Sequence, residues 1–194
     1  MLLAFHKPYG VLSQFTKEAL DHVTLAEFGF PKNVYPIGRL DWDSEGLLLL
    51  SDEPEWNTWL LHPKYSHERT YHAQVDGAAT EEAMAVLRKG VFIGEWKTRP
   101  CKAKLLPDPG YPARVVPIRF RKNIPTSWIE ITLTEGKNRQ VRKMTSAAGF
   151  PTLRLLRVAM GGLPLGDLPA GQWRELGGPE RDILLRSGKR ASWR

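Results

Sequence analysis

The 194-residue sequence contains one cysteine, Cys101, and no long apolar run. A single cysteine excludes an internal disulfide and any zinc site built from several cysteines. No stretch of about 18 uncharged apolar residues occurs, so the sequence predicts no membrane-spanning helix. The first residues, MLLAFHKPYG, lack a basic region followed by an apolar stretch of about 7 to 15 residues, so we expect no secretory signal and a cytoplasmic location.

Basic residues are abundant and concentrated in one part of the chain. The formal net charge is +7, yet the segment from Arg114 to Arg157 has ten basic residues against Glu130 and Glu135, which gives +8 there and −1 elsewhere. A basic face confined to one region is expected of a protein that binds a polyanion such as nucleic acid. A merely solvated surface is the alternative interpretation.

Hydrophobic patterning predicts an α+β protein with mostly antiparallel strands, because helices do not separate every pair of strands. RTYHAQVDG alternates strictly and predicts a half-buried strand, and TEEAMAVLRKG predicts a helix capped by Thr80 and ended by Gly90. Further strands are predicted at LLAF, KTRPCKAKLL, WIEITLTE and TLRLLRVAM, and helices at HVTLAEFGF, PEWNTWLLH and NRQVRKMTSAAG, the last capped by Asn138. We predict a long surface loop over residues 107–125, a domain over residues 1–176, and a flexible basic tail over residues 177–194.

The stretch GRLDWDSEGLLLL, residues 38–50, places three carboxylates before four leucines. Asp41, Asp43, Gly46 and Asp52 match positions 1, 3, 6 and 12 of a calcium-binding loop. Glu45 at position 5 and a leucine at position 9 do not fit. The leucines predict a buried strand, and Gly46 is predicted to let the chain turn just before it. Calcium binding is therefore disfavoured.

Two interpretations of the carboxylates remain besides a solvated turn. Asp41 and Asp43 could act as the paired carboxylates of a glycosidase, but residues two apart on an extended chain point to opposite faces. The sequence favours a single working carboxylate, Asp41, next to Arg39. An aspartate that faces an arginine such as Arg142 stays ionised, which suits nucleophilic attack better than acid catalysis.

GRLDWDSEGLLLLSD closely resembles the signature of bacterial pseudouridine synthases of the small-subunit synthase A type, a group that includes the large-subunit synthases B, E and F. HKPYGVLSQF, RTYHAQVDG and IPTSWIEITLTEGKNRQVRKMTSAAGFPTLRLLRVAMG resemble three further family motifs in the same order, and the last is most similar to the synthase E type. The resemblance covers most of residues 3–175. It implies the family's fold, a mixed, mostly antiparallel sheet with flanking helices and a central RNA-binding cleft.

The resemblance also implies an activity and roles for individual residues. The family isomerises a uridine in RNA, without cofactor or metal, by breaking the glycosidic N1 bond and rejoining the base to ribose through C5. Asp41 matches the nucleophile, and Asp43 and Glu45 would support it. Tyr71 matches the tyrosine that stacks on the target base, Arg142 the basic partner of the aspartate. Arg39 matches the residue that fills the space of the flipped nucleotide in related enzymes.

The partner implied by the resemblance is ribosomal RNA, with 23S rRNA favoured over 16S. Arg69 stands where the family usually has lysine, and the HKPYG motif begins without a preceding S4-type RNA-binding domain. We therefore expect the catalytic domain to supply the RNA affinity. We also expect the protein to be a monomer. RNA-binding residues are predicted at Lys7, Arg69, Lys137, Arg139, Lys143 and Arg154. The alternative is a non-catalytic RNA-binding or ribosome-assembly factor with the same fold.

Overall fold

The computed structural model describes residues 1–118 and 124–188 of the chain. These residues form two compact units. Unit 1 contains Met1–Arg69 and the chain from Arg157 onward, and unit 2 is the continuous segment Thr70–Leu156. The predicted boundary at residue 176 therefore does not separate the compact units of the structure.

The secondary structure is mixed, and its strands are numbered in chain order. They are β1 Leu2–Lys7, β2 Val11–Leu12, β3 Val23–Thr24, β4 Tyr35–Pro36, β5 Glu45–Ser51, β6 Arg69–Asp76, β7 Phe92–Ile93, β8 Trp96–Lys97, β9 Lys102–Leu106, β10 Thr126–Leu133, β11 Thr152–Met160, β12 Leu163–Pro164 and β13 Trp173–Glu175. The α-helices are α1 Glu55–Leu61, α2 Glu81–Lys89, α3 Gln140–Ala147 and α4 Gly178–Ser187, and 3-10 helices occur at Leu25–Phe28 and Pro63–Tyr65. The prediction of an α+β fold is confirmed.

Unit 1 has the strand order β13-β1-β5, followed by the unit 1 part of β11. The four-leucine run lies in β5, which pairs antiparallel with β1 from Leu2 opposite Ser51 to Lys7 opposite Gly46. Every residue of β5 is buried, because Leu47 and Leu49 pack into one core with Trp56 of α1 while Leu48 and Leu50 point to the other face. The run therefore forms a strand covered on both faces.

Unit 2 has the strand order β6-β10-β9, with the unit 2 part of β11 next to β6. The alternation predicted for β6 is confirmed, because Ala73 and Val75 are fully buried and Tyr71 packs against the same core. On β10 the residues predicted to face inward, Ile129 and Ile131, are also fully buried. The core is covered by α2 and α3, which contribute among others Met84, Leu87, Val141 and Met144.

Three local predictions require correction. The N-cap of α3 is Arg139 in the left-handed conformation, with φ 50°, rather than Asn138. Residues 178–187 are not a flexible tail, because α4 forms there and its Leu184 is fully buried; the remainder of the predicted tail, residues 189–194, lies outside the described residues. Gly46 is not a turn residue but lies inside β5.

Part of the loop predicted over residues 107–125 can also be assessed. Residues 107–118 form neither helix nor strand, as predicted, while residues 119–123 lie outside the described part of the chain. Among the described residues, no helix is both long and apolar enough to cross a lipid bilayer.

Candidate active site

Asp41 lies in a tight turn that directly precedes β5 in unit 1. Its backbone carbonyl accepts a hydrogen bond of 3.0 Å from the amide of Ser44, which closes the turn. The preceding residue, Leu40, is held on both sides by one hydroxyl: Ser13 Oγ donates to its carbonyl at 2.8 Å and accepts from its amide at 3.1 Å. The Asp41 side chain is half-buried on this turn. A carboxylate is thus presented on fixed backbone.

The loop of the HKPYG motif supports the same turn. The amide of Gly10 donates to the carbonyl of Trp42 at 2.9 Å, and the rings of Tyr9 and Trp42 lie 5.1 Å apart. The ammonium group of Lys7 donates to the carbonyls of Pro8, at 2.9 Å, and Val11, at 2.6 Å, and so joins the two ends of this loop. These contacts connect the first motif to the aspartate motif within unit 1.

Lys7 does not have the surface position expected of an RNA-binding residue. Its side chain is fully buried, and this burial lowers the pKa of its ammonium group to about 7, while the nearby carboxylates of Glu45, Asp43 and Asp41 oppose the shift. This burial does not support the prediction that Lys7 contacts RNA. Its contacts support the loop beside Asp41 instead. The only sequence signal for this role is the position of the lysine directly before Pro8. Ser13, which fixes Leu40, was missed because its partner is 27 residues away.

The carboxylates do not form the calcium loop considered from the sequence. Gly46 through Ser51 are part of β5, and Asp52 at the end of that strand forms an ion pair of 2.5 Å with the N-terminal amine of Met1. A strand of this length separates Asp52 from Asp41, since each residue adds about 3.3 Å. In residues 1–118 and 124–188, no group of three or more His, Cys, Asp or Glu side chains is arranged to hold a metal ion.

Arg39, predicted to fill the space of the flipped nucleotide, is exposed beside the turn. Its guanidinium donates to the side-chain carbonyl of Gln14 at 3.4 Å. The weak contact leaves the side chain on the surface of unit 1.

The other predicted substrate-binding residues belong to unit 2. Tyr71 is half-buried on β6, against the core of that unit. Arg142 lies in the first turns of α3, where its guanidinium donates to the carbonyl of Thr152 at 3.4 Å. Because α3 begins at Arg139 in the left-handed conformation, the chain turns sharply just before the helix. Both side chains are therefore held on regular elements of unit 2.

The predicted RNA-binding residues fall into exposed and buried groups. Lys137, Arg139 and Lys143 are exposed around the start of α3. Arg69 and Arg154 are buried. Arg69 donates to the carbonyl of Leu60 at 3.0 Å, and Arg154 donates to that of Pro112 at 2.9 Å.

The prediction that Arg69 and Arg154 contact RNA is not supported by their burial, because buried guanidinium groups bonded to carbonyls have a structural use. Within the basic segment, Arg157 is also buried and donates to the carbonyl of Leu47 at 2.8 Å. Arg119, Arg121 and Lys122 lie outside the described residues. The positive charge available on the surface is therefore smaller than the sequence count of the segment indicates.

Comparison with known proteins places these features in a family. The model of the RNA pseudouridylate synthase family matches residues 1–147. The chain is 48% identical to "Ribosomal large subunit pseudouridine synthase E" of Vibrio parahaemolyticus over 175 residues, which is 90% of this chain and 73% of that protein. It is 47% identical to the protein of the same name from Xanthomonas campestris over 176 residues, 90% of this chain and 94% of that one.

A solved structure agrees with the sequence relatives. The chain matches the "Crystal structure of pseudouridylate synthase" with a TM-score of 0.78 and 26% identity, over 94% of this chain and 73% of the other. The similarity to the synthase E type inferred from the motifs is confirmed. With a family match over most of its length, relatives at almost half identity and a matching solved fold, this chain belongs to the RNA pseudouridylate synthase family.

Proposed function

We propose that this protein isomerises a specific uridine of large-subunit ribosomal RNA to pseudouridine, with Asp41 as its nucleophile. The observation that carries the proposal is the half-buried Asp41 on a turn fixed by Ser13 and the Gly10 to Trp42 bond, in a chain whose relatives are named large-subunit pseudouridine synthases. A carboxylate held in this way loses little conformational freedom when it attacks a bound sugar.

The proposed reaction needs no cofactor. The carboxylate of Asp41 acts at the ribose, the bond between C1′ and N1 breaks, the uracil rotates, and a bond forms between C1′ and C5. The proton of C5 is then lost and N1 ends protonated, so the product is an isomer of the substrate. Direct attack on C1′ and a route through a glycal are both compatible with this role of Asp41.

Three further residues complete the proposed substrate site. Tyr71 stacks on the base, and such stacking is worth roughly 1–3 kcal/mol. Arg142 serves as the basic partner that keeps the aspartate ionised. Arg39, which is exposed, occupies the space that the target nucleotide leaves when it flips out, a movement that costs a few kcal/mol.

The RNA is held mainly by charge. The exposed residues Lys137, Arg139 and Lys143 are suited to phosphate contacts, which make the affinity depend strongly on salt. We place the protein in the cytoplasm as a monomer, with 23S rRNA as its substrate.

Mapping of pseudouridine in rRNA tests the activity directly. We expect one uridine in 23S rRNA to be modified in cells that contain the protein and unmodified in cells that lack it, with 16S rRNA unchanged. Purified protein should restore the modification on 23S rRNA from the deficient cells. RNA that is bound but never modified would instead identify a non-catalytic RNA-binding or ribosome-assembly factor.

The role of Asp41 is tested by Asp41→Asn, with Asp43→Asn as the matched control on the same turn. Asp41→Asn should lower single-turnover isomerisation at least about 1,000-fold while RNA affinity is kept, because only the nucleophile is lost. Asp43→Asn should have a smaller effect. Residual turnover above about one thousandth of wild type in Asp41→Asn, or a larger loss in Asp43→Asn, would contradict the assignment.

A further inference from the structure

A short hairpin in unit 2 displays aromatic and basic side chains for which the proposed site has no use. Strands β7 and β8 pair antiparallel, with Phe92 opposite Lys97 and Ile93 opposite Trp96. Directly opposite residues share a face of a hairpin, and adjacent residues point to opposite faces. Phe92 and Lys97 therefore form one face, and Ile93 and Trp96 form the other. We call residues 91–98 the Phe92 hairpin.

The base of the Phe92 hairpin is anchored in the core of unit 2. Val91 is buried and Ile93 packs against the same cluster. The backbone amide of Val91 donates to Thr98 Oγ1 at 3.0 Å, and the amide of Thr98 donates to the carbonyl of Val91 at 2.9 Å. Thr98 itself is buried. The side chains at the outer face are thus presented by a rigid support, which lowers the conformational entropy lost on binding.

The face formed by Phe92 and Lys97, which we call the outer face, carries an exposed aromatic ring beside a cation. The side chain of Phe92 is 66% exposed, and Lys97 Nζ lies 5.9 Å from the centroid of its ring. On the other face Lys137 Nζ lies 3.8 Å from the centroid of the Trp96 ring, and Lys137 is exposed. The cation–π contact holds Lys137 against the hairpin, and its ammonium can still bind an anion.

The charge around the Phe92 hairpin is mainly positive. Lys89 and Arg99, on either side of it in the chain, are exposed, and Glu95 at its tip is an exposed acid. Glu135 is already engaged, because its carboxylate accepts from the amide of Arg99 at 2.8 Å and from the side-chain amide of Gln140 at 2.6 Å. An exposed ring among cations is the combination that binds single-stranded nucleic acid.

We infer that the Phe92 hairpin is a second RNA-binding surface, which holds a single-stranded part of the substrate RNA other than the isomerised nucleotide. A base stacks on Phe92, and Lys97 and Lys137 contact backbone phosphates. This inference rests on the proposed function, because it takes the same RNA as its ligand. It gives unit 2 a source of affinity beyond the residues around the target base.

Affinity measurements on single variants test the inference. The ligand is a 23S rRNA transcript that the wild-type protein modifies, and binding is measured by fluorescence anisotropy at several salt concentrations. Phe92→Ala should raise Kd about 5- to 150-fold, the range expected for one lost base stack, whereas Phe92→Trp should keep the wild-type Kd. Lys97→Ala and Lys137→Ala should each reduce the slope of log Kd against log salt by about 0.7.

Tyr35→Ala is the matched control, because Tyr35 is also an aromatic residue that is 66% exposed. It pairs with Ser51, at the end of β5 remote from Asp41, so its Kd should stay within about twofold of wild type. Thermal melting confirms that each variant is folded.

A wild-type Kd in Phe92→Ala, or an equal loss in Tyr35→Ala, overturns the inference while leaving the proposed function intact. A wild-type protein that modifies no rRNA overturns the proposed function instead, so the two failures are distinguishable.

Discussion

Substitution of Gly46 by alanine is expected to destabilise unit 1 strongly. Gly46 lies within β5 opposite Lys7, with φ +102°, a backbone conformation that L side chains rarely adopt. A Cβ atom there would stand 2.3 Å from the carbonyl oxygen of Arg157 and 2.7 Å from its amide nitrogen. Neither atom can move away freely, because both belong to the backbone of β11. The substitution therefore imposes both backbone strain and a collision.

The two costs can be estimated separately. A residue held in an unfavourable backbone conformation costs about 1–3 kcal/mol, and forcing extra atoms into a packed site costs about 1–3 kcal/mol more. A loss of about 4 kcal/mol is a large part of the roughly 5–15 kcal/mol that stabilises a typical protein. For a chain of this size, each 1 kcal/mol lowers Tm by about 2–4 °C, so Gly46→Ala should lower Tm by about 8–16 °C.

Gly29→Ala separates the collision from the strain. Gly29 also belongs to unit 1 and also has a positive φ, +64°, but no heavy atom lies within 4 Å of the position that a Cβ atom would take there. Gly29→Ala should therefore lower the free energy of unfolding by only about 1–2 kcal/mol, or Tm by roughly 2–8 °C. Differential scanning calorimetry of both variants measures the difference. Equal shifts in the two variants would refute the close approach of β11 as the reason for glycine at position 46.

Two further perturbations test the buried groups of unit 1. Lys7 has a pKa of about 7 in the folded protein against 10.5 for an ordinary lysine. Between these pH values the unfolded chain binds more protons than the folded protein does. The contribution of Lys7 to the free energy of unfolding therefore increases as the pH rises. We expect the free energy of unfolding of the wild type, relative to that of Lys7→Met, to rise by about 2–3 kcal/mol between pH 7 and pH 9, as measured by urea unfolding. A difference between the two proteins that does not change with pH would contradict this. Leu184→Ala on α4 should cost about 2–5 kcal/mol, because Leu184 is fully buried. Leu185→Ala on the same helix, where the side chain is 50% exposed, should cost less than about 1 kcal/mol in the same assay, and similar losses would show that α4 is not docked.

The elements that could be predicted from the sequence are those whose signals are local. The alternation of β6 and the capping and charge pattern of α2 act within about ten residues, and Thr80 indeed accepts from the amide of Ala83. The four leucines predicted a buried strand for the same reason. These patterns depend on backbone geometry and burial, which the sequence carries directly.

The elements that could not be predicted depend on distant partners. Helix α4 has contiguous rather than periodic apolar residues. It is held by Trp59 Nε1, which donates to the carbonyl of Leu184 at 3.0 Å, and by Arg181, which pairs with Glu53 at 2.6 Å. Both contacts join residues more than 120 positions apart. Gly46 was predicted as a turn residue because the sequence around it carries no signal that β11 approaches it.

The candidate site shows the same division. The position of Asp41 before a buried strand followed from the leucine run, and its motif resemblance supplied the proposed role. Lys7 was predicted to bind RNA, yet the charge of a residue in a sequence does not reveal whether a lysine can reach water. Its burial depends on the pairing of β1 with β5, which is a long-range property.

The division of the chain into an interrupted and a continuous unit has a consequence for biosynthesis. Unit 2 is one uninterrupted segment, so every residue that it needs has been translated once residue 156 is made. Unit 1 cannot be completed until β13 has been translated, because β1 is paired on one side with β13, where Leu3 lies opposite Glu175. During translation β1 therefore keeps an unpaired edge until the residues of β13 have been made. Such an edge is a site for aggregation, and a nascent chain that stalls before residue 173 should depend on chaperones to remain soluble.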